Sequence, residues 1–219
     1  MTLEPEVAEM IQSPLLPSFI RQLQDYLAEE QERRKVFHAN LPEGEKVEFI
    51  NGEVVKAMSV KNEHGIAMQL LLALLQVFVN MQKLGVVGAE KYMIALDRND
   101  YEPDICFWSV QKSEAMTQKQ MIFPPPDLVI EVLSPSTEER DRGIKFRDYA
   151  ANRISEYWII DPDVHSVEQY VLDGRQYRLR VKVMDGVIAS AVVAGFEIPV
   201  RAIFDPQENL VALRKIINS

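Results

Sequence analysis

Glu102-Pro103-Asp104-Ile105 sets an acid directly after a proline at the start of a β-prone run, and Asp127-Leu128-Val129-Ile130-Glu131-Val132-Leu133 places a second acid inside an apolar one. The segment that follows reads as a helix carrying Lys145. An acid in a strand that is apolar on both faces is costly unless something compensates it. Carboxylate oxygens suit a hard divalent cation such as Mg²⁺ or Mn²⁺, which takes few protein ligands and keeps waters and phosphate oxygens of a substrate. Asp104 and Glu131 would supply two such ligands, with a positive charge facing them. That set could hold a metal and a phosphate diester together.

Asp141, Lys145 and Tyr149 recur at every fourth position and share one helical face. By spacing alone Asp141 and Lys145 could form a surface ion pair contributing ~0.3–0.5 kcal/mol. Their place directly after a strand acid gives Lys145 a reason to point at the site. Lys145→Ala is expected to change stability by only about 0.5 kcal/mol, as the loss of a surface side chain does. Glu48 is a surface acid on a hairpin by itself and gains interest if that hairpin abuts the later acids.

Several elements must position these groups. Residues 1–17, with prolines at 5, 14 and 17, read as an extended or mobile lead-in, and a helix is expected from Ser18, a good N-cap. Asn51-Gly52 between two short β-prone runs signals a tight type I′ hairpin flanked by Glu48 and Glu53. Asn62 can cap a long helix through Lys83, which Gly85 would end. Strands are expected at Val86–Ala89, Tyr92–Leu96 and Ile105–Trp108, and a short helix between Ser113 and Ile122. The strand Leu128–Leu133 then leads through Ser134-Pro135 to a helix capped by Thr137. Further strands follow at Ser155–Ile160 and around Asp173-Gly174, and a last helix starts near Asp205-Pro206.

A chain of 219 residues, 47% hydrophobic, suits one compact domain. Residues 1–40 read as an N-terminal extension and helix, and 41–219 as the domain proper. The net charge of −9 opposes sequence-independent attraction to nucleic acid, so any such contact must rely on a local basic patch. Arg140, Arg142 and Arg147 form the dense basic cluster and are the candidates for backbone phosphate contacts. Cys106 is the single cysteine, which excludes an intramolecular disulfide, and no charged stretch precedes an apolar one at the start. The cytoplasm is the expected compartment. The apolar window Ile66–Val79 falls short of the roughly 20 residues that span a bilayer and reads as a buried helix, with no membrane partner. There is no phosphate-cradling glycine loop, nucleophile elbow or zinc pattern.

The order of helix, hairpin Glu48 to Glu53, long helix, Pro103-Asp104, Glu131-Val132-Leu133-Ser134-Pro135-Ser136-Thr137, Asp141 to Lys145 to Tyr149 and Glu156-Tyr157-Trp158 resembles the restriction-endonuclease-like PD-(D/E)xK superfamily. Within it the chain looks like the large family abundant in cyanobacteria, also called Uma-two. The resemblance covers about Glu45 to Leu172 and leaves the N-terminal helix outside. It implies an α/β (mixed α+β) fold, a restriction-endonuclease-like mixed β-sheet flanked by helices, with β-hairpins and an extra N-terminal helix. It also implies Asp104, Glu131 and the Val132 carbonyl as ligands of Mg²⁺ or Mn²⁺, and Glu48 as an additional acid. The superfamily pattern has lysine two residues after the second acid. Here that position is Leu133, and Lys145 from the next helix takes over its charge, with Tyr149 placed to meet substrate or to position Lys145.

The reading that results is a metal-dependent endonuclease acting on nucleic acid, DNA foremost, as a homodimer in which each site cuts one strand. Two other classes compete with it: a catalytically silent nucleic-acid-binding or assembly module on the same fold, and a phosphodiesterase of small nucleotides. Metal-induced stabilisation separates a live site from a silent one. Two converging acids resist joint ionisation. On that ground Asp104→Asn is expected to melt no lower than the unaltered chain in chelator.

Overall fold

A computed structural model describes residues 5–42, 44–56 and 61–218. The lead-in contains a short helix, α1 (Pro5–Ile11), and the next helix, α2 (Leu16–Ala39), starts two residues before the expected Ser18 cap. Pro17 sits in its first turn, where the missing N–H had no intrahelical partner to lose. Asn51 and Gly52 take positive φ of 51° and 87° and close the hairpin of β1 (Val47–Ile50) and β2 (Glu53–Lys56).

Helix α3 (Asn62–Gln82) is capped by no side chain and ends on Lys83 in the left-handed conformation, not on Gly85. Gly85 instead opens β3 (Gly85–Ala89), where a Cβ would fall 1.9 Å from the Trp108 carbonyl. By length and composition α3 could cross a membrane. Its Leu71, Leu74, Leu75 and Val79 are buried in the main core, the usual place of an apolar helix that covers a sheet.

Next come β4 (Met93–Ala95), β5 (Asp100–Tyr101), β6 (Ile105–Ser109), a single turn α4 (Val110–Ser113), β7 (Ile122–Phe123) and β8 (Leu128–Val132). The helix expected between Ser113 and Ile122 is thus confined to the turn before that segment. After β8 lie α5 (Glu138–Arg142), α6 (Ile144–Ala151), β9 (Glu156–Asp161), β10 (Ser166–Asp173), β11 (Gln176–Val183), β12 (Val187–Ala189), β13 (Glu197–Pro199), a 3-10 turn (Val200–Ile203) and α7 (Pro206–Ile217). Asp205 Oδ1 caps α7 by accepting from the amides of Gln207 and Glu208 at 2.7 and 3.1 Å.

The central sheet runs β11-β10-β9-β8-β6-β3, with β8 and β9 parallel and the other neighbours antiparallel. A second sheet, β2-β1-β5-β4-β7, and the β12-β13 pair complete a mixed α/β architecture. Alternation along β8 sorts the core. Leu128, Ile130 and Val132 pack with α3 and α7, while Val129 and Leu133 pack with Tyr149, Ala150 and Tyr157. Glu131 therefore points to the α6 side.

The continuous helix expected after Thr137 is broken at Gly143 (φ −109°, ψ −98°), and Thr137 makes no side-chain cap. The break re-aims α6 toward the sheet. A Cβ at Gly143 would lie 2.5 Å from the Glu139 carbonyl. Gly143→Ala is expected to destabilise the fold by about 1–3 kcal/mol, as overpacking does, which a denaturant melt would show as a lower midpoint.

Candidate functional site

Strand register alone brings the two acids together. β6 pairs with β8 with Ile105 opposite Ile130, so one step further Asp104 lies opposite Glu131. The Asp104 amide is 3.4 Å from Glu131 Oε2, and Asp104 Oδ2 accepts from the Val132 amide at 2.8 Å. Val132 thus touches the site through its N–H.

On β1, Val47 and Phe49 pack beneath Phe37 and Met93. Alternation turns Glu48 to the other face, so the hairpin does abut the acids: Glu48 Oε1 lies 2.9 Å from Lys145 Nζ. From α6 the same ammonium reaches Glu131 Oε1 at 3.0 Å and Asp141 Oδ1 at 3.2 Å. Lys145 is 3% exposed. It is a buried residue, and the surface placement expected from spacing is corrected. The i,i+4 relation to Asp141 survives across the Gly143 break.

Tyr149 is fully buried and donates its hydroxyl to Glu131 Oε1 at 2.8 Å. It holds a site acid. Arg142 is also committed elsewhere: it grips Glu168 with two bonds of 2.9 and 3.1 Å and Glu138 at 3.0 Å. Of the arginine trio, Arg147 is exposed, and Arg140 is partly buried with an unpaired Nε.

Two site residues are absent from the sequence reading. Lys46, just before β1, donates to Asp104 Oδ1 at 2.7 Å, and His64 Nε2 in the first turn of α3 lies 3.2 Å from Asp104 Oδ2. No spacing in the sequence ties either to the acids, because both reach Asp104 from distant elements. Position in the first helical turn was the one clue for His64.

Four buried carboxylates (Glu48, Asp104, Glu131, Asp141) face two ammonium groups, so the cluster cannot ionise every acid at ordinary cost. Burial pushes the Glu131 carboxyl up, Lys145 opposes this, and Asp141 and Asp104 add to it, leaving it at about 8. Burial also pushes Asp104 up, but Lys46 and His64 outweigh it and hold that group well below the usual carboxylate range. Burial favours the neutral amine of Lys145, yet Glu131, Glu48 and Asp141 keep it charged far above its ordinary value.

The donor chemistry fits a hard divalent cation: carboxylate oxygens from adjacent strands, in a buried cluster with excess negative charge. Among the described residues, no group of three or more His, Cys, Asp and Glu side chains already stands as a coordination shell. Lys46 and Lys145 hold the oxygens that such an ion would share.

The solved structures include a "putative nuclease belonging to DUF820" from Anabaena variabilis ATCC 29413. It superposes with a TM-score of 0.66 at 19% identity, over 76% of this chain and 94% of that one, and so shares the fold. No curated protein matches the chain. One family profile, described as "Putative restriction endonuclease", matches residues 19–201. The match takes in most of α2, which the resemblance left outside, and runs past Leu172 to the 3-10 turn. With acids, lysine and fold in place over that span, the chain belongs to the Uma2 family, the group described as "Putative restriction endonuclease".

Proposed function

We propose that this nuclease-like protein is a metal-dependent endonuclease that hydrolyses phosphodiester bonds of DNA. The observation that carries the reading is the meeting of Asp104, Glu131 and Lys145, from three separate elements, in one buried cluster. Asp104 and Glu131, with the Val132 carbonyl, would hold Mg²⁺ or Mn²⁺. Bound there, such an ion supplies Lewis acidity and a water that ionises near neutral pH.

The chain's own groups do the rest. Lys46 and His64 keep Asp104 ionised, and Tyr149 fixes the orientation of Glu131. Lys145 places a fixed positive charge where negative charge grows on the phosphate. Arg140 and Arg147 are the candidates for backbone phosphates flanking the scissile one. Duplex cutting calls for two such sites, hence a homodimer.

A silent nucleic-acid-binding module remains the second reading, favoured by the net charge of −9 and by the closure of the acids on lysines. Incubation of the protein with plasmid DNA, single-stranded DNA, RNA and a dinucleotide, with Mn²⁺ and then with chelator, separates the two. The expected result is Mn²⁺-dependent nicking or linearisation of plasmid that chelator abolishes. No cleavage of any substrate, together with a melting temperature unmoved by Mn²⁺, would establish the silent module.

A further inference from the structure

Among the described residues, helix α2 is tied to the domain along its C-terminal half. Glu30 pairs with Arg98 at 2.8 Å, Arg33 Nε donates to the Gly52 carbonyl at 3.1 Å, Phe37 stacks on Phe49, and Arg34 and His38 both reach Asp100 at 2.8 Å. Toward the N-terminus the helix projects: residues 20–29 are all exposed. That stretch is not uniformly polar. Leu16, Phe19, Ile20, Leu23, Tyr26 and Leu27 follow the 3–4 spacing of one helical stripe, and Ile20, Leu23, Tyr26 and Leu27 are 46, 51, 46 and 44% exposed. Leu16 and Phe19 at its start are half-buried, and Val7 and Ile11 of helix α1 are exposed as well.

Projecting turns of this kind draw little stability from the helix alone, and helices gain most of theirs by packing an apolar face. Gln22 and Gln24 flank the stripe, while Arg21 and Asp25 lie on the opposite side of the helix. The stripe and its edges are therefore uncharged. A two-fold interface brings identical patches together, so an uncharged patch avoids the like-charge repulsion that a copy of the same −9 chain otherwise meets. Charge also argues against a lipid surface, because interfacial helices carry Lys and Arg on their polar face. Here that face sets Arg21 against Asp25 and Glu29.

We propose that the occupant of this stripe is the same stripe of a second copy, packed antiparallel about Leu23. Phe19 then faces the partner's Leu27, and Ile20 faces the partner's Tyr26. The antiparallel sense sends the two acidic domains to opposite ends of the helix pair, whereas a parallel pair would set them side by side. The inference rests on the homodimer proposed above and supplies its interface; it uses none of the site residues, so its failure leaves the chemistry at each site untouched.

Single cysteines test it, as the native Cys106 is buried and leaves the surface free of thiols among the described residues. In an antiparallel pair Leu23→Cys meets its own copy, while two copies of Leu27→Cys stand about 12 Å apart along the axis (eight residues at about 1.5 Å each). Under mild oxidant, L23C is expected to run as a species of twice the 25.1 kDa chain mass. L27C and D25C are expected to stay at the chain mass. Light scattering of the unaltered protein should give the dimer, and L23E a monomer with the same circular-dichroism spectrum. The proposal is overturned if L23C fails to cross-link, if L27C or D25C cross-links as fast, or if the unaltered protein is monomeric. It is also overturned if L23E remains dimeric or if the unaltered protein pellets with vesicles of equal parts phosphatidylcholine and phosphatidylserine.

Discussion

Lys145→Ala is expected to cut cleavage by about 10²–10³-fold, the usual loss on removing one preorganised charge from a reacting phosphate or carbonyl. The same change should destabilise the fold by about 3–5 kcal/mol, the cost of breaking a buried ion pair by deleting one partner. The reason is local. Glu48, Glu131 and Asp141 all lie within 3.2 Å of the Lys145 ammonium, and its loss strands three buried carboxylates. This is several times the cost expected of a surface lysine. A denaturant melt reads the stability, and a plasmid assay below the melting range reads the rate. Adding Glu48→Gln to Lys145→Ala removes one stranded charge and should recover part of the stability but none of the cleavage. Full activity in K145A, measured on folded protein, would show that the lysine is structural and that the proposed chemistry is wrong.

The second large effect separates the two acids. Asp104 accepts from Lys46 and from the Val132 amide and sits beside His64. Its charge is stabilised in the fold, so Asp104→Asn should cost about 2–3 kcal/mol, the worth of charged hydrogen bonds lost on burial. That reverses the expectation from like-charge repulsion alone. Glu131 is the acid that repulsion penalises, and Glu131→Gln should melt no lower than the unaltered chain in chelator. The pH dependence follows. Glu131 sits at about 8 in the fold against an ordinary value of 4.5, so between those limits the folded chain holds a proton that the unfolded chain has released. Its penalty is absent below about pH 4.5 and grows as pH rises toward 8. Relative to E131Q, the unaltered chain should therefore lose stability across that window. D104N and E131Q should each also lose the Mn²⁺-induced rise in melting temperature. A D104N protein that melts with the unaltered chain and keeps its Mn²⁺ response would remove Asp104 from the ligand set.

Much of the frame follows from local chemistry. Asn51-Gly52 dictates its hairpin, because that pair takes positive φ at little cost. The apolar run Leu128–Leu133 dictates a covered strand. Period two then puts Glu131 and Leu133 on one face, so a lysine at 133 or one arriving from the following helix serves the same side of the sheet. Spacing of four groups Asp141, Lys145 and Tyr149. These are short-range rules, and they made the acids, the lysine and the family resemblance legible.

Tertiary structure decided what those residues touch. Spacing could not tell a surface ion pair from a buried one, because Lys145 is buried against Glu48 of β1 and Glu131 of β8, strands that are distant in sequence and belong to two different sheets. Lys46 and His64 become partners of Asp104 because the start of β1 and the first turn of α3 converge on the start of β6, with no motif linking them. Arg142 looked free beside Arg140 and Arg147 until β10 supplied Glu168. The break at Gly143 depends on the Glu139 carbonyl one turn back, a clash that residue types do not reveal. A sequence lays down period and propensity over a few residues, whereas the charge state of a buried group depends on every charge within several ångströms, and that neighbourhood exists only once the sheets are assembled.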